Sequence, residues 1–364
     1  MKKLSRRDFL KLTGASLGSM AFRRFDRFFP VGRSQFPEGD LLGRVSVFPN
    51  YYATSIKTEP HPAAGTVRDI SEDELVVWKN EVVGEAKSIS KRWVETPEGY
   101  VYGPDLQPVR NFPNIPISTI PEGKAGFWAE VTVPYVDLFI ANPPARAGWY
   151  KDAIEVGFIP RLFYGQVVWI DQIMADESGR ILYRFNERYG YGDMFWVDGT
   201  GLYPLTEKDV APISPDVDPV LKKIVVDTTY QTLSAYEGEQ EVFFCRVSTG
   251  YDSENYRTPA GGYHPHRKLL SIPMGASSTE GRSGYDTPAV GWPFFMNGDG
   301  IAIHAAFWHN DFGTRRSHGC VNVCAPDAKW IWRWTTPYVS LDQAEASLDW
   351  PDHGTKVEVV KRSF

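Results

Sequence analysis

The chain has 364 residues, a formal net charge of −6 and a pI near 5.7. That length supports two or three domains and a sizeable core. The acidic balance supplies no basic face of the kind a nucleic-acid partner requires. Aromatic residues make up 14% and charged residues 23%, which marks a globular, strand-rich chain rather than a disordered one.

The chain begins Met1-Lys2-Lys3-Leu4-Ser5-Arg6-Arg7-Asp8-Phe9-Leu10-Lys11. Residues 10–22 follow as a weakly apolar run carrying Gly, Ala and Ser, too short and too polar to span a bilayer. A basic amphipathic N-terminal helix is the alternative reading. The order Ser-Arg-Arg-x-Phe-Leu-Lys resembles the twin-arginine export signal. That resemblance implies the twin-arginine translocase as a partner and a location in the periplasm, cell wall or medium. Residues 1–37 are read as this signal and a tether, with Ser19-Met20-Ala21 a weak cleavage site.

Residues 43–112 and 127–207 are rich in Val, Ile, Trp and Tyr and are punctuated by Gly and Pro, which predicts short strands. The two stretches repeat each other. Leu75-Val76-Val77-Trp78 matches Gln166-Val167-Val168-Trp169, and residues 92–109 match residues 183–205. Duplication of a small β unit accounts for this. The Trp-bearing strands and Gly-Tyr-Val-Tyr ending resemble bacterial SH3-like barrels, in which most such aromatics are core. Residues 208–219 hold Pro212, Pro215 and Pro219 and are read as an extended linker.

In residues 220–364, strands are predicted at 223–227, 231–236, 241–248 and 269–274, with a closing strand at 354–360. Ser/Gly-rich residues 275–291 read as a mobile lid. A helix is predicted from Pro326 to Trp334, with proline at its first position. His264-Pro265-His266 reads as an exposed loop rather than a metal pair.

The chemistry is concentrated in two runs. Ile301-Ala302-Ile303-His304-Ala305-Ala306-Phe307-Trp308 reads as a buried strand ending on a histidine. Arg316-Ser317-His318-Gly319-Cys320-Val321-Asn322-Val323 sets a thiol in a turn. A thiol needs a base to ionise near neutral pH, and His304 and His318 are both candidates. Gly319 lets the backbone approach a substrate and aim N–H groups at an oxyanion. The residues alone leave Cys320 open between nucleophile and small buried hydrophobe. His304, His309, His318, Cys320 and Cys324 are also zinc-ligand types, but no CxxC or HExxH spacing is present. No metal or cofactor is expected. Of the three cysteines, Cys245 and Cys324 are expected as free thiols rather than a disulfide.

His304 with the following Ser-His-Gly-Cys-Val-Asn run resembles the signature of the L,D-transpeptidase, or YkuD, catalytic domain. The likeness covers roughly the last two-fifths of the chain. Ala305 stands where many members have Gly, and Asn322 where many have Arg. The resemblance implies a β-sandwich catalytic domain at 220–364 after the two SH3-like segments, making a mostly β protein. It implies that Cys320 attacks a peptidoglycan stem tetrapeptide, with His304 as base. The Ala305 carbonyl would orient that base, and Gly319 and Cys320 N–H groups would hold the oxyanion. His318, Ser317, Asn322 and Trp308 would bind substrate. A carboxypeptidase or endopeptidase using the same cysteine, or a non-catalytic wall-binding scaffold, are the alternatives.

Overall fold

β-branched and aromatic residues bury well on a pleated surface, and most of the runs that carry them are strands in the computed structural model. The structure describes residues 36–46, 54–187, 189–276, 285–348 and 354–363. The export-signal reading falls on residues 1–37, nearly all outside the described residues. Residues Glu38–Phe364 form one compact unit, mostly β.

The internal repeat is visible as a shared pairing scheme. In the first copy, Leu42–Val45 pairs antiparallel with both Leu75–Val77 and Leu106–Val109. In the second, Phe127–Val131 pairs with both Val167–Ala175 and Leu202–Pro204. A single 3₁₀ turn precedes the last strand of each copy, at Gly103–Asp105 and Gly199–Gly201. Its entry residues share one conformation, Tyr102 at φ −62°, ψ 119° and Asp198 at φ −64°, ψ 120°. Leu106 and Leu202 close the two turns by donating to the carbonyls of Gly103 and Gly199, and both leucines are fully buried. The copies also differ, among other places, at one strand of the shared scheme. Val167–Ala175 runs on, with a bulge between Ile170 and Gln172, to pair with Ile181–Asn186. Its counterpart is broken into Leu75–Val77 and Asn80–Val83, which lie in different sheets.

Of residues 208–219, read from their prolines as extended linker, the part from Asp209 to Ile213 makes packing contacts, while Pro215, Asp216, Asp218 and Pro219 are exposed. Thr206 and Asp209 form a capping box that starts the turn Glu207–Val210. Val210 is buried. Ile213 N–H donates to the Arg333 carbonyl (3.2 Å), and Arg333 Nε donates to the Ala211 carbonyl (2.8 Å). The two apolar side chains supply burial that proline density does not predict.

The C-terminal part is built on two five-stranded sheets. One is ordered Gln240–Arg246, Thr232–Glu237, Lys222–Asp227, Lys356–Val360, Gly261–Tyr263. The other is ordered Val321–Val323, Ala302–Ala305, Phe294–Phe295, Arg267–Leu269, Glu345–Ser347. Ile224, Val226, Leu233, Val357 and Val359 of the first share a core with Phe294, Ile303, Ala305, Val321 and Val323 of the second. Trp332 and Trp334 of the helix Ala325–Trp334 join this core, as do Trp128, Val167, Leu205 and Val210 from the preceding half. The second β segment is therefore fused to the C-terminal core. Part of the stretch expected as a lid is regular: Tyr285–Gly291 pairs antiparallel with Ser271–Ala276, while residues 277–284 lie outside the described residues.

Candidate active site

His304 lies in the strand Ala302–Ala305, whose four residues are all buried. Its Nδ1 is 2.9 Å from the Ala305 carbonyl oxygen. A carbonyl only accepts, so Nδ1 carries the proton and Nε2 presents the free lone pair that a base needs. Burial holds this imidazole down at about 4, although the Ala305 carbonyl pulls the other way. It is therefore neutral, and competent to take a proton, across the physiological range. The Trp308 ring lies 5.8 Å from it.

Ala302–Ala305 pairs in parallel with Val321–Val323, which sets His304 level with Asn322. Cys320 directly precedes that second strand and makes a hydrogen bond with the Ala302 backbone. The register thus places the thiol two positions from the imidazole along one strand pair. Cys320 is half-buried, and burial pushes its thiol up while the Ala302 bond pulls it back.

The turn before Cys320 is fixed by backbone bonds. Ser317 Oγ donates to the Cys320 carbonyl, and Gly319 N–H donates to Ser317 Oγ at 3.2 Å. Gly319 has φ +126°, a backbone state that other residues rarely adopt. A Cβ there would meet nothing closer than 3.8 Å, so the requirement is conformational. His318 is exposed and is met edge-on by Tyr256, 4.5 Å away between ring centres.

Residues 248–250, at the end of the stretch read from sequence as the strand 241–248, act as a clamp. Ser248 exchanges two 2.9 Å backbone hydrogen bonds with Asn322, and the Thr249 carbonyl accepts from Ser317 N–H at 3.1 Å. Gln231 holds this clamp: its Nε2 donates to Thr249 Oγ1 (2.7 Å) and its Oε1 accepts from Thr249 N–H (2.8 Å). Thr258 Oγ1 accepts from Gly250 N–H and donates to the Gly319 carbonyl at 2.7 Å. Gln231 and Thr258 escaped the sequence reading because turn composition carries no sign of which backbone a side chain will reach.

His309, named from sequence only as a zinc-ligand type, is 5% exposed. Its Nδ1 accepts from Asp311 N–H at 3.3 Å, and its Nε2 is 3.0 Å from the Asn322 side-chain amide. Burial first, then the charges of Arg316 and His304, hold His309 down at about 3. Asn322 is thus tied to a buried imidazole, while Trp308 and His318 are the more open side chains of this set.

All three cysteines are free thiols. Burial raises Cys245 and Cys324 far above the usual thiol range, which makes them inert next to Cys320. Among the described residues no group of three or more His, Cys, Asp or Glu is arranged to hold a metal ion.

Residues 221–359 match the family model of the L,D-transpeptidase catalytic domain, YkuD. These residues are an L,D-transpeptidase catalytic domain. The chain is 25% identical over 126 residues to YciB of Bacillus subtilis (strain 168), provisionally named an L,D-transpeptidase. The match takes in 30% of this chain and 60% of that relative. Among solved structures, the catalytic domain of the E. faecium L,D-transpeptidase is similar with a TM-score of 0.30 and 20% identity, over 38% of this chain and 96% of that one. The L,D-transpeptidase from Mycobacterium smegmatis is similar with a TM-score of 0.30 and 16% identity, over 50% and 90%. In the transpeptidase domain of this chain, the matched residues include His304, Cys320 and the whole clamp at 248–250.

Proposed function

We propose that the chain is an exported peptidoglycan L,D-transpeptidase acting through a Cys320 thioester. The observation that carries the reading is the tautomer of His304. With its Nδ1 proton held by the Ala305 carbonyl, Nε2 is left to receive the thiol proton. The thiolate then attacks the carbonyl preceding the terminal D-residue of a tetrapeptide stem. The C–S bond forms, the C–N bond breaks, and His304 returns its proton to the leaving amine. An amine from a neighbouring stem resolves the thioester. Gly319 N–H already donates to Ser317 Oγ, so Cys320 N–H is the better placed oxyanion donor of the two. His318 and Trp308 bound the approach to the thiol, while Ser317 and Asn322 keep its turn in shape.

The segments at 43–112 and 127–207 are read as SH3-like units. Support comes from their shared scheme of a first strand paired with the last and a 3₁₀ turn before that last strand. Export is read from Arg6 and Arg7 together with Phe9-Leu10-Lys11, and loss of export on replacing both arginines by lysine is the expected result.

The test of catalysis is incubation with a disaccharide tetrapeptide, with and without an amine acceptor, followed by intact-protein mass spectrometry and product analysis. A thioester on Cys320 and amine-dependent dimer formation are expected. Cys320→Ala should abolish the adduct, and His304→Ala should slow it by about two to four orders of magnitude. An adduct persisting in Cys320→Ala refutes the assignment, and release by water alone in the presence of acceptor makes the enzyme a hydrolase.

A further inference from the structure

The second β segment and the transpeptidase domain enclose a cavity of about 790 Å³, away from Cys320, lined by Trp128, Trp169, Asn186, Lys124 and Asp342 among others. We infer that this cavity is a binding site for an uncharged oligosaccharide, namely the amino-sugar strand of the wall polymer.

Its size is that of a small-molecule pocket. Trp128 and Trp169 stand edge to face with centres 5.4 Å apart, and the Trp169 ring is half-buried, leaving part of it open. Gly126 fixes that ring: a Cβ there would lie 2.6 Å from it. Sugar rings present C–H faces that pack on indole planes, and a ring already locked loses little entropy on binding. Trp128 is 4% exposed, and its buried indole N–H has no partner among the described residues. A buried donor without an acceptor is costly, and a ligand hydroxyl or amide oxygen would relieve it.

The charge at the rim argues against an anionic ligand. Lys124 Nζ donates to both carboxylate oxygens of Asp342, at 2.6 and 2.7 Å, across the two halves of the site. The cation is thereby taken up, and the other charged lining residue, Glu207, is itself a carboxylate whose Oε1 accepts from Leu341 N–H at 3.3 Å, so a phosphate or carboxylate ligand would meet no free cation. An extended peptide is disfavoured for a different reason. The strand Phe127–Val131 is paired with Val167–Ile170 on one side and, from Ala129 to Val131, with Leu202–Pro204 on the other, and Leu205 N–H donates to the Trp128 carbonyl at 2.8 Å, which leaves only a short edge for a peptide strand.

The inference rests on the wall-acting reading for the identity of the sugar. Binding is therefore measured by calorimetry on the full-length Cys320→Ala chain, which cannot turn over, with the N-acetylglucosamine tetramer as probe. Saturable binding is expected. Trp169→Ala should weaken it at least about tenfold through lost stacking. Ala125→Trp, at an exposed lining position, should do the same by filling the cavity with the fold intact by circular dichroism. Absence of tetramer binding overturns the proposal, as does unchanged affinity in Ala125→Trp, or displacement of the tetramer by a sugar-free stem peptide. None of these outcomes bears on acylation of Cys320, which is measured separately.

Discussion

Replacing Arg44 by Met tests whether the N-terminal half braces the active site. Arg44 is 1% exposed and reaches three parts of the chain. Its Nε and Nη2 donate to Gln107 Oε1 at 2.9 and 2.7 Å, and Nη1 donates to Asp73 Oδ1 at 2.6 Å. Nη2 also donates to the Phe307 carbonyl at 2.6 Å, one residue before the Trp308 that borders His304. Removing one partner of a buried ion pair costs about 3–5 kcal/mol. Asp73 keeps a second cation, since Arg161 Nη1 donates to its other oxygen at 2.8 Å, so the low end applies. Loss of the donor to Phe307 adds about 1 kcal/mol. The expected destabilisation is about 3–4 kcal/mol, a large part of a typical domain's stability. Arg44→Lys should recover only part of it, because a point charge cannot satisfy Gln107, Asp73 and Phe307 together. Urea unfolding measures the first effect and the rate of Cys320 acylation by the disaccharide tetrapeptide the second, with acylation expected to slow. A midpoint unchanged within about 0.5 kcal/mol, with unchanged acylation, would refute the bracing argument.

Gly250→Ala should destabilise strongly and slow acylation, since the added Cβ would lie 1.9 Å from the Tyr256 carbonyl oxygen; thermal melting and adduct formation report the two effects. Asn322→Ala should cost about 1–3 kcal/mol by leaving the buried His309 Nε2 unpaired, read by denaturant unfolding. Burial, with Asp286 and Asp193 nearby, raises the carboxyl of Glu187 to about 7. Between its unfolded value near 4.5 and 7 the folded state holds the extra proton, so this group's contribution is full below 4.5 and is lost as pH rises through 7. Glu187→Gln should therefore raise the melting temperature at pH 8 relative to wild type and change it little at pH 5. His304, lowered to about 4, works in the opposite sense. The unfolded chain takes up the proton first as pH falls below 6.5, so about 3 kcal/mol of stability drains away between 6.5 and 4. His304→Gln should flatten that acid limb in a urea series against pH.

The proposed reacting pair could be picked out in the sequence because its signature is local: a histidine ending an apolar strand, and a cysteine after Ser-His-Gly. The tandem repeat was legible for the same reason, and the two matching 3₁₀ turns at Gly103–Asp105 and Gly199–Gly201 show that aligned residues took aligned conformations. What escaped reading was long-range. Arg44 and Phe307 are 263 positions apart, and no composition or period links them. Lysine is mostly a surface residue, yet Lys222 and Lys268 are essentially buried. They donate to the Trp334 and Thr335 carbonyls at the end of the helix Ala325–Trp334, where exposed carbonyls and the helix dipole favour a cation. Proline density at 208–219 reports backbone preference and says nothing of the contacts that Val210 and Ile213 make.

The two β segments share one means, among others, of bracing the catalytic domain. The first reaches the Phe307 carbonyl through Arg44. The second reaches the hairpin strand Tyr285–Gly291 twice: Gln166 Nε2 donates to the Pro288 carbonyl at 2.8 Å, and Glu187 Oε1 accepts from Ala289 N–H at 2.9 Å. Each of these bonds holds main chain rather than side chain. A bond to main chain fixes where a segment runs whatever its side chains are, and Ala289 needs such holding because it sits at φ +51°, a state that costs a non-glycine residue free energy. The segment that carries Trp308 and the base of the hairpin are therefore positioned from outside the catalytic domain. Together with the shared core at Trp128 and Val167, this makes the β segments part of the structure that holds the site in shape, and not beads appended to it.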